Sequence, residues 1–394
     1  MEKTTTFLAG RKGVWIIDCV HQAHVRAGQL CRAFKNSVIR RFAMQKKLIA
    51  LALASAFAAP AFAATSNVDI YGNVHMSVDV LDDGVDSATN VSSNASAFGI
   101  KGAEDLGGGL SAIWQVETNL AGERRGSTFT TARDTFVGLK GGFGAVRLGY
   151  FNTPTKELSR KLDLFNNRIG DTRNVLRSNA SSGAQGSANN AWEERFDNGI
   201  RYDTPSFSGF SASVHYSTNF DNTGTTTTNN NDAYSLGANY ANGPLFVGAT
   251  YQRNNLTTGT GDETNWRLGA GYTMGNLKMV ALYSKAQDQR GVDGADRDVW
   301  GLGASYKLGN GAIKGQYYKA DSEDNTTDTG AKMYVVGYDY SLSKRTLAYI
   351  AYAKTKNDAN ARFSAMGGGG HGDDLSILAG KDPDAFSIGM IHNF

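Results

Sequence analysis

Four basic residues have the parity opposite to nearby apolar residues of their predicted strands: Lys101, Arg133, Arg147 and Arg201. Successive side chains on a strand point to opposite faces of its sheet, so these four charges lie on the face opposite to their apolar neighbours. Rows of fixed charge on a water-facing surface attract, orient or repel charged solutes. The chemistry predicted for these residues is therefore electrostatic recognition.

Three carboxylates lie in a long polar connection that runs from Asn152 to Trp192: Glu157, Asp163 and Asp171. At about forty residues, this segment is longer than a structureless connection normally is. The pattern of residues 155–165 predicts a helical turn within it. The same connection also carries a set of basic residues: Lys156, Arg160, Lys161, Arg168, Arg173 and Arg177. If it lies opposite the four basic residues of the strands, charges of both signs face each other.

No catalytic or metal-binding motif is found after residue 63. That part of the sequence has no HExxH, GxSxG or phosphate-binding loop, and both cysteines, Cys19 and Cys31, precede it. A hydrolase on the apolar face would need a Ser–His–acid set around His392, the only histidine predicted on that face. No serine partner stands out, so no enzyme activity, cofactor, metal ion or nucleic-acid partner is predicted.

The elements that must position these charges are strands of alternating pattern. In residues 68–80 the even positions are apolar or Gly, and the odd positions are mostly polar. Residues 386–394 show the same pattern and end in Phe394. Sixteen segments of this kind are predicted: 68–80, 94–102, 110–119, 132–140, 145–151, 194–204, 210–217, 233–241, 245–253, 265–274, 277–285, 298–307, 312–320, 332–340, 346–354 and 384–394.

The connections between these segments alternate in length. Short ones carry Gly and Asn, as at 141–144, 242–244 and 309–311, and long polar ones occupy 218–232, 286–297 and 356–383. Short turns on one side and long loops on the other are typical of outer-membrane barrels. A soluble sandwich is the alternative, but it does not explain sixteen hairpin-linked strands in one domain. The predicted fold is all-β, a 16-stranded antiparallel transmembrane β-barrel whose apolar face meets lipid.

The first 63 residues predict export. Residues 44–63 combine a basic start, an apolar run from Leu48 to Phe57 and a small-residue cleavage site at 61–63, which together indicate a signal peptide. Residues 64–394 then form the barrel domain. Residues 1–43 precede this complete signal and are predicted to be an extension ahead of a true start at Met44, with a long basic leader as the alternative. Without residues 1–63, acidic residues outnumber basic ones.

Five segments carry a resemblance that spans most of the predicted barrel: NVDIYGNVHMSVDV, FGIKGAEDLGGGLSAIWQVE, TARDTFVGLKGGFGAVRLGYFNTP, NGIRYDTPSFSGFSASVHYS and FSIGMIHNF. Together they resemble the general porins of β-proteobacteria, of the Burkholderia and Neisseria type. This resemblance implies a homotrimer in the cell outer membrane, in contact with lipid and lipopolysaccharide. It also implies a water-filled channel for passive diffusion of small hydrophilic solutes and ions, and recognition of Phe394 by the outer-membrane assembly machinery.

The resemblance further implies that the third long loop, from Asn152 to Trp192, folds into the pore and narrows it. The predicted constriction then consists of four wall residues and three loop residues: Lys101, Arg133, Arg147, Arg201, Glu157, Asp163 and Asp171. Family members often have further basic residues where this sequence has Ala97 and Tyr150. The wall arginines favour anions and the acidic exported chain favours cations, so the sign of selectivity stays open. An adhesive barrel whose loops bind a host or a phage is a further alternative.

Overall fold

The computed structural model describes residues 66–123, 129–177, 192–220, 231–256, 261–366 and 375–394. The predicted extension and signal peptide, residues 1–63, lie outside the described residues. Within the described ranges, no helix is both long and apolar enough to cross a membrane.

One antiparallel sheet contains eighteen strand segments. They are β1 (Ser66–Asp82), β2 (Ser87–Ser93), β3 (Ala97–Gly107), β4 (Leu110–Leu120), β5 (Phe129–Ala132), β6 (Thr135–Gly141), β7 (Gly144–Asn152), β8 (Arg195–Asp203), β9 (Phe210–Ser217), β10 (Ala233–Asn242), β11 (Leu245–Asn255), β12 (Asp262–Met274), β13 (Leu277–Gln287), β14 (Arg297–Leu308), β15 (Gly311–Ala320), β16 (Ala331–Ser341), β17 (Thr346–Asn357) and β18 (Asp384–Asn393). Each strand of the barrel pairs with its neighbours in sequence, so the connections are hairpins.

These segments form a closed barrel of sixteen strands, as the sequence predicts. β2 and β3 both pair with β1, and β5 and β6 both pair with β4, so each of these two pairs makes one interrupted barrel strand. β18 pairs with β1 from Asn73–Asn393 to Asp82–Asp384 and closes the sheet. The sequence pattern missed β2 and β5 because an interruption separates each of them from the strand that was recognised. At the first interruption Ala95 has a φ of 50°.

The two faces of the sheet differ as the alternation predicts. On β1, Val74 and Val78 are 44% and 51% exposed, whereas His75 and Asp79 are 2% and 0% exposed. Aromatic side chains on the outer face contact one another across neighbouring strands. The ring centroids of Tyr251 and Trp266 are 4.3 Å apart. An apolar outer face with linked aromatic rings fits a bilayer and its polar interfaces.

The tight turns lie where the sequence places them. Gly243, Gly275 and Gly309 have φ values of 55°, 57° and 59° in the turns before β11, β13 and β15. Glycine reaches this left-handed region at no steric cost, which fits the demands of short hairpins. The long connections lie at the other ends of these strands.

In the described part of the connection between β7 and β8, two helices form: α1 (Pro154–Leu162) and α2 (Arg173–Leu176). The sequence predicts α1 within residues 155–165. The Thr153 hydroxyl caps α1 by accepting a hydrogen bond from the Lys156 amide at 3.2 Å, and Pro154 occupies the first turn. A short 3₁₀ turn, Gln289–Gly291, lies between β13 and β14.

Glycines on the inner wall provide space for apolar side chains of the connection that contains α1 and α2. A Cβ added at Gly237, Gly248, Gly303 or Gly337 would lie 2.6–2.9 Å from a side-chain atom of Pro154, Leu158, Leu164 or Phe165, respectively. A Cβ at Gly269 would overlap Leu162. Larger residues at these positions would displace the connection. Glycine therefore lets the connection lie directly against the strands from β10 to β16. We call these five positions the glycine sockets.

Candidate functional site

A bidentate charged contact between this connection and the wall joins α1 to β8. Both Nη atoms of Arg201 donate hydrogen bonds to the Glu157 carboxylate, each at 2.8 Å. Arg201 also donates from Nε to Asp203 at 2.9 Å. The Arg201 side chain is 6% exposed and the Glu157 side chain is 44% exposed. Glu157 therefore reaches solvent while it is held by a guanidinium, a geometry that fixes its orientation.

Arg147 belongs to the same group, since it lies directly across from Arg201 in the pairing of β7 with β8. Its Nη2 donates to Asp203 at 2.7 Å. Its guanidinium also lies 4.9 Å from the ring centroid of Phe151 and 5.2 Å from that of Phe136. Two arginines and two carboxylates, Glu157 and Asp203, thus form one nearly neutral set, which we call the β7–β8 charge group.

A second group contains Lys101, on β3, and Arg133, between β5 and β6, together with residues of β1 and β4. Arg133 Nε donates to Glu117, and its Nη1 donates to Asn119 at 2.8 Å. The Tyr71 hydroxyl donates to the other oxygen of Glu117 at 2.8 Å. The Lys101 ammonium lies 5.0 Å from the centroid of the Tyr71 ring. Both predicted cations are therefore placed on the inner wall through one carboxylate and one aromatic ring.

The connection places further cations within reach of the wall. Burial, together with the guanidinium groups of Arg173 and Arg133, lowers the pKa of Arg160 to about 10. The effect of Arg133 on Arg160 shows that a loop cation and a wall cation lie within electrostatic range. Like charges held near one another are costly unless anions or water lie between them. The Asp171 carboxylate offsets part of this repulsion.

Asp163 and Asp171 lie inside the connection and stabilise its fold. Asp163 accepts hydrogen bonds from the amides of Phe165 and Thr172 at 2.8 and 3.0 Å, and from the side chain of Gln316 at 3.0 Å. Asp171 accepts from the Arg173 amide and Nε, each at 2.9 Å. The carboxylates of Asp163 and Asp171 are thus oriented by groups of the loop and, for Asp163, by a wall side chain. The Glu157 carboxylate is instead held by Arg201.

The two aspartates differ in their protonation. Burial, reinforced by the nearby Asp171 carboxylate, raises the pKa of Asp163 to about 7. Burial also raises the pKa of Asp171, but the adjacent Arg173 guanidinium outweighs it and brings that pKa below its usual value. The pKa of Asp163 therefore lies near neutral pH, whereas that of Asp171 lies below its usual acidic range.

The residues predicted for the site do not include a buried ion pair that lies behind α1. Arg267 on β12 donates to Glu193 at 2.5 Å and to the Thr155 carbonyl at 2.9 Å, and both charged side chains are fully buried. The Ser159 hydroxyl donates to the other Glu193 oxygen at 2.8 Å. The inward parity of Arg267, between the outward Trp266 and Leu268, is the sequence signal that could have identified it. Its partner could not be predicted, because Glu193 lies outside any regular element.

Farther along the wall, a carboxylate on β16 holds the connection. Arg168 donates to Asp339 at 2.6 Å, and the Lys314 ammonium lies 2.9 Å from the same carboxylate. Among the residues that the structure describes, no group of three or more His, Cys, Asp or Glu side chains could hold a metal ion. The described interior therefore presents paired charges and hydrogen-bonding groups lining a closed barrel.

Comparison with known proteins agrees with this architecture. A family of Gram-negative porins matches residues 50–360. The chain belongs to the Gram-negative porin family. It is 37% identical to the major outer membrane protein P.IB of Neisseria meningitidis serogroup B over 225 residues, which cover 54% of this chain and 60% of that protein. The chain thus spans about 60% of the length of the curated relatives it matches.

Solved structures extend the similarity to the whole barrel. The anion-selective porin of Comamonas acidovorans is 29% identical, has a TM-score of 0.68, and is matched over 84% of this chain and all of that one. The trimer form of OmpT of Vibrio cholerae has a TM-score of 0.60 at 18% identity, over 84% of this chain and all of that one, and supports the fold alone. The porin family and the barrel establish that this porin resides in the outer membrane.

Proposed function

We propose that this porin is a non-enzymatic channel for passive diffusion of small hydrophilic solutes and ions. The observation that carries the proposal is the closed sixteen-stranded barrel with apolar side chains outside and charged or polar side chains inside. A barrel of this size encloses an aqueous passage rather than a packed hydrocarbon core. Membership of the Gram-negative porin family supports the same function.

The connection between β7 and β8 narrows this passage in our proposal. Support comes from the glycine sockets, which hold α1 and the following residues against the inner wall, and from the bidentate contact of Glu157 with Arg201. Residues 178–191 of the same connection lie outside the described residues. The narrowing is proposed for the part from Asn152 to Arg177.

Among the seven predicted constriction residues, we assign selectivity to five: Lys101, Arg133, Arg147, Arg201 and Glu157. Glu157 is half-exposed, and the four cations lie on inward positions of the wall. Asp163 and Asp171 act on the shape of the loop, because their oxygens accept hydrogen bonds from it. The four cations are accompanied by three carboxylates, Glu117, Glu157 and Asp203. One net positive charge remains and favours anions, in line with the anion-selective porin of Comamonas acidovorans.

Three further proposals concern biogenesis and assembly. Residues 44–63 are removed on export, and residues 1–43 are not part of the working protein. The barrel assembles as a homotrimer in contact with lipopolysaccharide. Phe394 is the residue that the assembly machinery recognises. Its amide and carbonyl pair with Gly72, so the last residue also completes the seam between β1 and β18. N-terminal sequencing of the outer-membrane protein tests the cleavage after Ala63.

Planar-bilayer recording of the purified protein tests the channel function. We expect stepwise insertion events, an ohmic open channel and, under a tenfold KCl gradient, a reversal potential of the sign that anions produce. A protein that inserts without conducting contradicts the proposed function. A reversal potential near zero contradicts the proposed charge selectivity while leaving the channel in place.

A further inference from the structure

A side cavity of about 360 Å³ lies between α1 and the inner wall formed by β9, β10 and β11. The helix contributes Glu157, Leu158 and Lys161, and the strands contribute small or hydroxyl-bearing residues such as Ser211 and Thr250. The cavity is adjacent to the β7–β8 charge group, because Glu157 belongs to both. A solute in the passage that we propose would have access to it.

Lys161 is the uncompensated charge of this cavity. Its ammonium lies 4.1 Å from the centroid of the Phe246 ring, and among the described residues no carboxylate lies within ion-pair distance of it. The cavity's own carboxylate, Glu157, is neutralised by the two hydrogen bonds from Arg201. A solute that enters therefore meets one net positive charge beside an aromatic face. This arrangement favours a monoanion.

Thr250 supplies a second, independent indication of a ligand. The residue is 5% exposed, it lines the cavity, and its hydroxyl has no hydrogen-bond partner in the described structure. A buried hydroxyl without a partner is unfavourable, so a group that bonds to it gains affinity. Asn239 and two serines, Ser211 and Ser213, add further hydrogen-bonding groups on the same wall. A solute with several hydroxyl groups matches this wall.

We propose that this cavity is a binding subsite for small hydroxylated monocarboxylates. Lys161 binds the carboxylate, Thr250 and its polar neighbours bind the hydroxyl groups, and Phe246 and Leu158 contact the carbon chain. The inference rests on the proposed channel function, since the solute reaches the cavity through the lumen. It assigns a solute class to a place beside the constriction, where a bound anion reduces the flow of smaller ions.

The test uses the complete porin in planar bilayers, with sodium gluconate as the hydroxylated probe and sodium acetate as a probe that lacks hydroxyl groups. Each probe is titrated into a constant chloride background. We expect the chloride conductance to fall and saturate with gluconate at a lower half-saturating concentration than with acetate. Equal half-saturating concentrations for the two probes would overturn the assignment of hydroxylated solutes.

Two variants separate the roles of the charge and the hydroxyl. Thr250→Val is nearly isosteric and should raise the half-saturating concentration of gluconate about 3- to 10-fold, with little effect on acetate. Lys161→Gln should raise it about 10-fold or more for both probes, because it removes a charged hydrogen bond. The rescue variants Thr250→Ser and Lys161→Arg should return toward the wild-type values.

Lys332→Gln is the matched control. Lys332 is an exposed lysine next to the inward Met333 on β16, so its side chain has the parity of the outer face. It should leave every half-saturating concentration unchanged. If wild type and Lys161→Gln show the same linear, non-saturating fall in current, the subsite is refuted while the channel stands. If the wild type shows no conductance at all, the proposed function fails, and this inference fails with it.

Discussion

Glu157→Gln should shift the ion selectivity of the channel toward anions. The substitution removes one negative charge from the β7–β8 charge group, which then contains two arginines and only Asp203 as a carboxylate. An ion that passes at about 4 Å from this group gains or loses about 1 kcal/mol in a water-like environment. This solvent-screened value applies, rather than the larger value for a buried charge, because the Glu157 side chain is 44% exposed. Because anions and cations change by about 1 kcal/mol each in opposite directions, we expect the ratio of anion to cation permeability to rise by up to about 30-fold.

The assay is the reversal potential under a tenfold KCl gradient. Arg201→Gln should shift the potential in the opposite direction, because it leaves the group with an excess of negative charge. Glu104→Gln is the control, since Glu104 is an exposed carboxylate near the turn after β3. A shift of Glu157→Gln toward cations, or no shift while Arg201→Gln moves the potential, would refute the assignment of Glu157 to the selectivity site.

Two further predictions concern the packing and protonation of the loop. Gly269→Val should crowd Leu162, weaken the anchoring of the loop by about 1–3 kcal/mol and so increase single-channel noise. Gly271→Val should have a milder effect, because a Cβ there lies 3.6 Å from Leu162. Equal noise in the two variants would contradict the role of the glycine socket. A folded pKa of about 7 for Asp163, above its unfolded value, makes its contribution to stability complete below about pH 4 and lost as the pH rises through 7. The midpoint temperature of thermal unfolding should therefore decrease from about pH 4 to about pH 7, and Asp163→Asn should remove that decrease. Asp171 does not interfere, because its lowered pKa acts below this range.

Much of the barrel could be predicted from alternation alone. Each strand has one lipid-facing side, so a shift by one residue would move the whole apolar set to the wrong face, and the parity of a few side chains fixes the rest. This is why the inward positions of Arg147 and Arg201 could be predicted without knowing their partners. The sequence pattern missed β2 because Ala95, at the interruption between β2 and β3, adopts a backbone conformation that no local pattern indicates.

The conformation of the connection between β7 and β8 could not be predicted in the same way. It depends on contacts with strands far away in sequence, such as the hydrogen bond from Gln316 to Asp163. From sequence, Asp163, Asp171 and Glu157 are equivalent loop carboxylates. In the structure, the two aspartates accept hydrogen bonds from within the loop, whereas Glu157 is the one that meets a wall arginine. Only the tertiary packing distinguishes a carboxylate that shapes the loop from one that is exposed beside a wall arginine.

The position and the charge of the loop depend on contacts of different kinds, and this makes the two separable. Apolar side chains in the glycine sockets hold the loop against β10 to β16, while the pair of Glu157 with Arg201 joins it to β8. A change at Gly269 therefore alters where the loop lies without altering any charge. A change at Glu157 alters the field while the socket contacts remain. If pore size and ion selectivity nevertheless changed together in both variants, position and charge would not be independent, and the single fixed loop conformation on which both predictions depend would have to be abandoned.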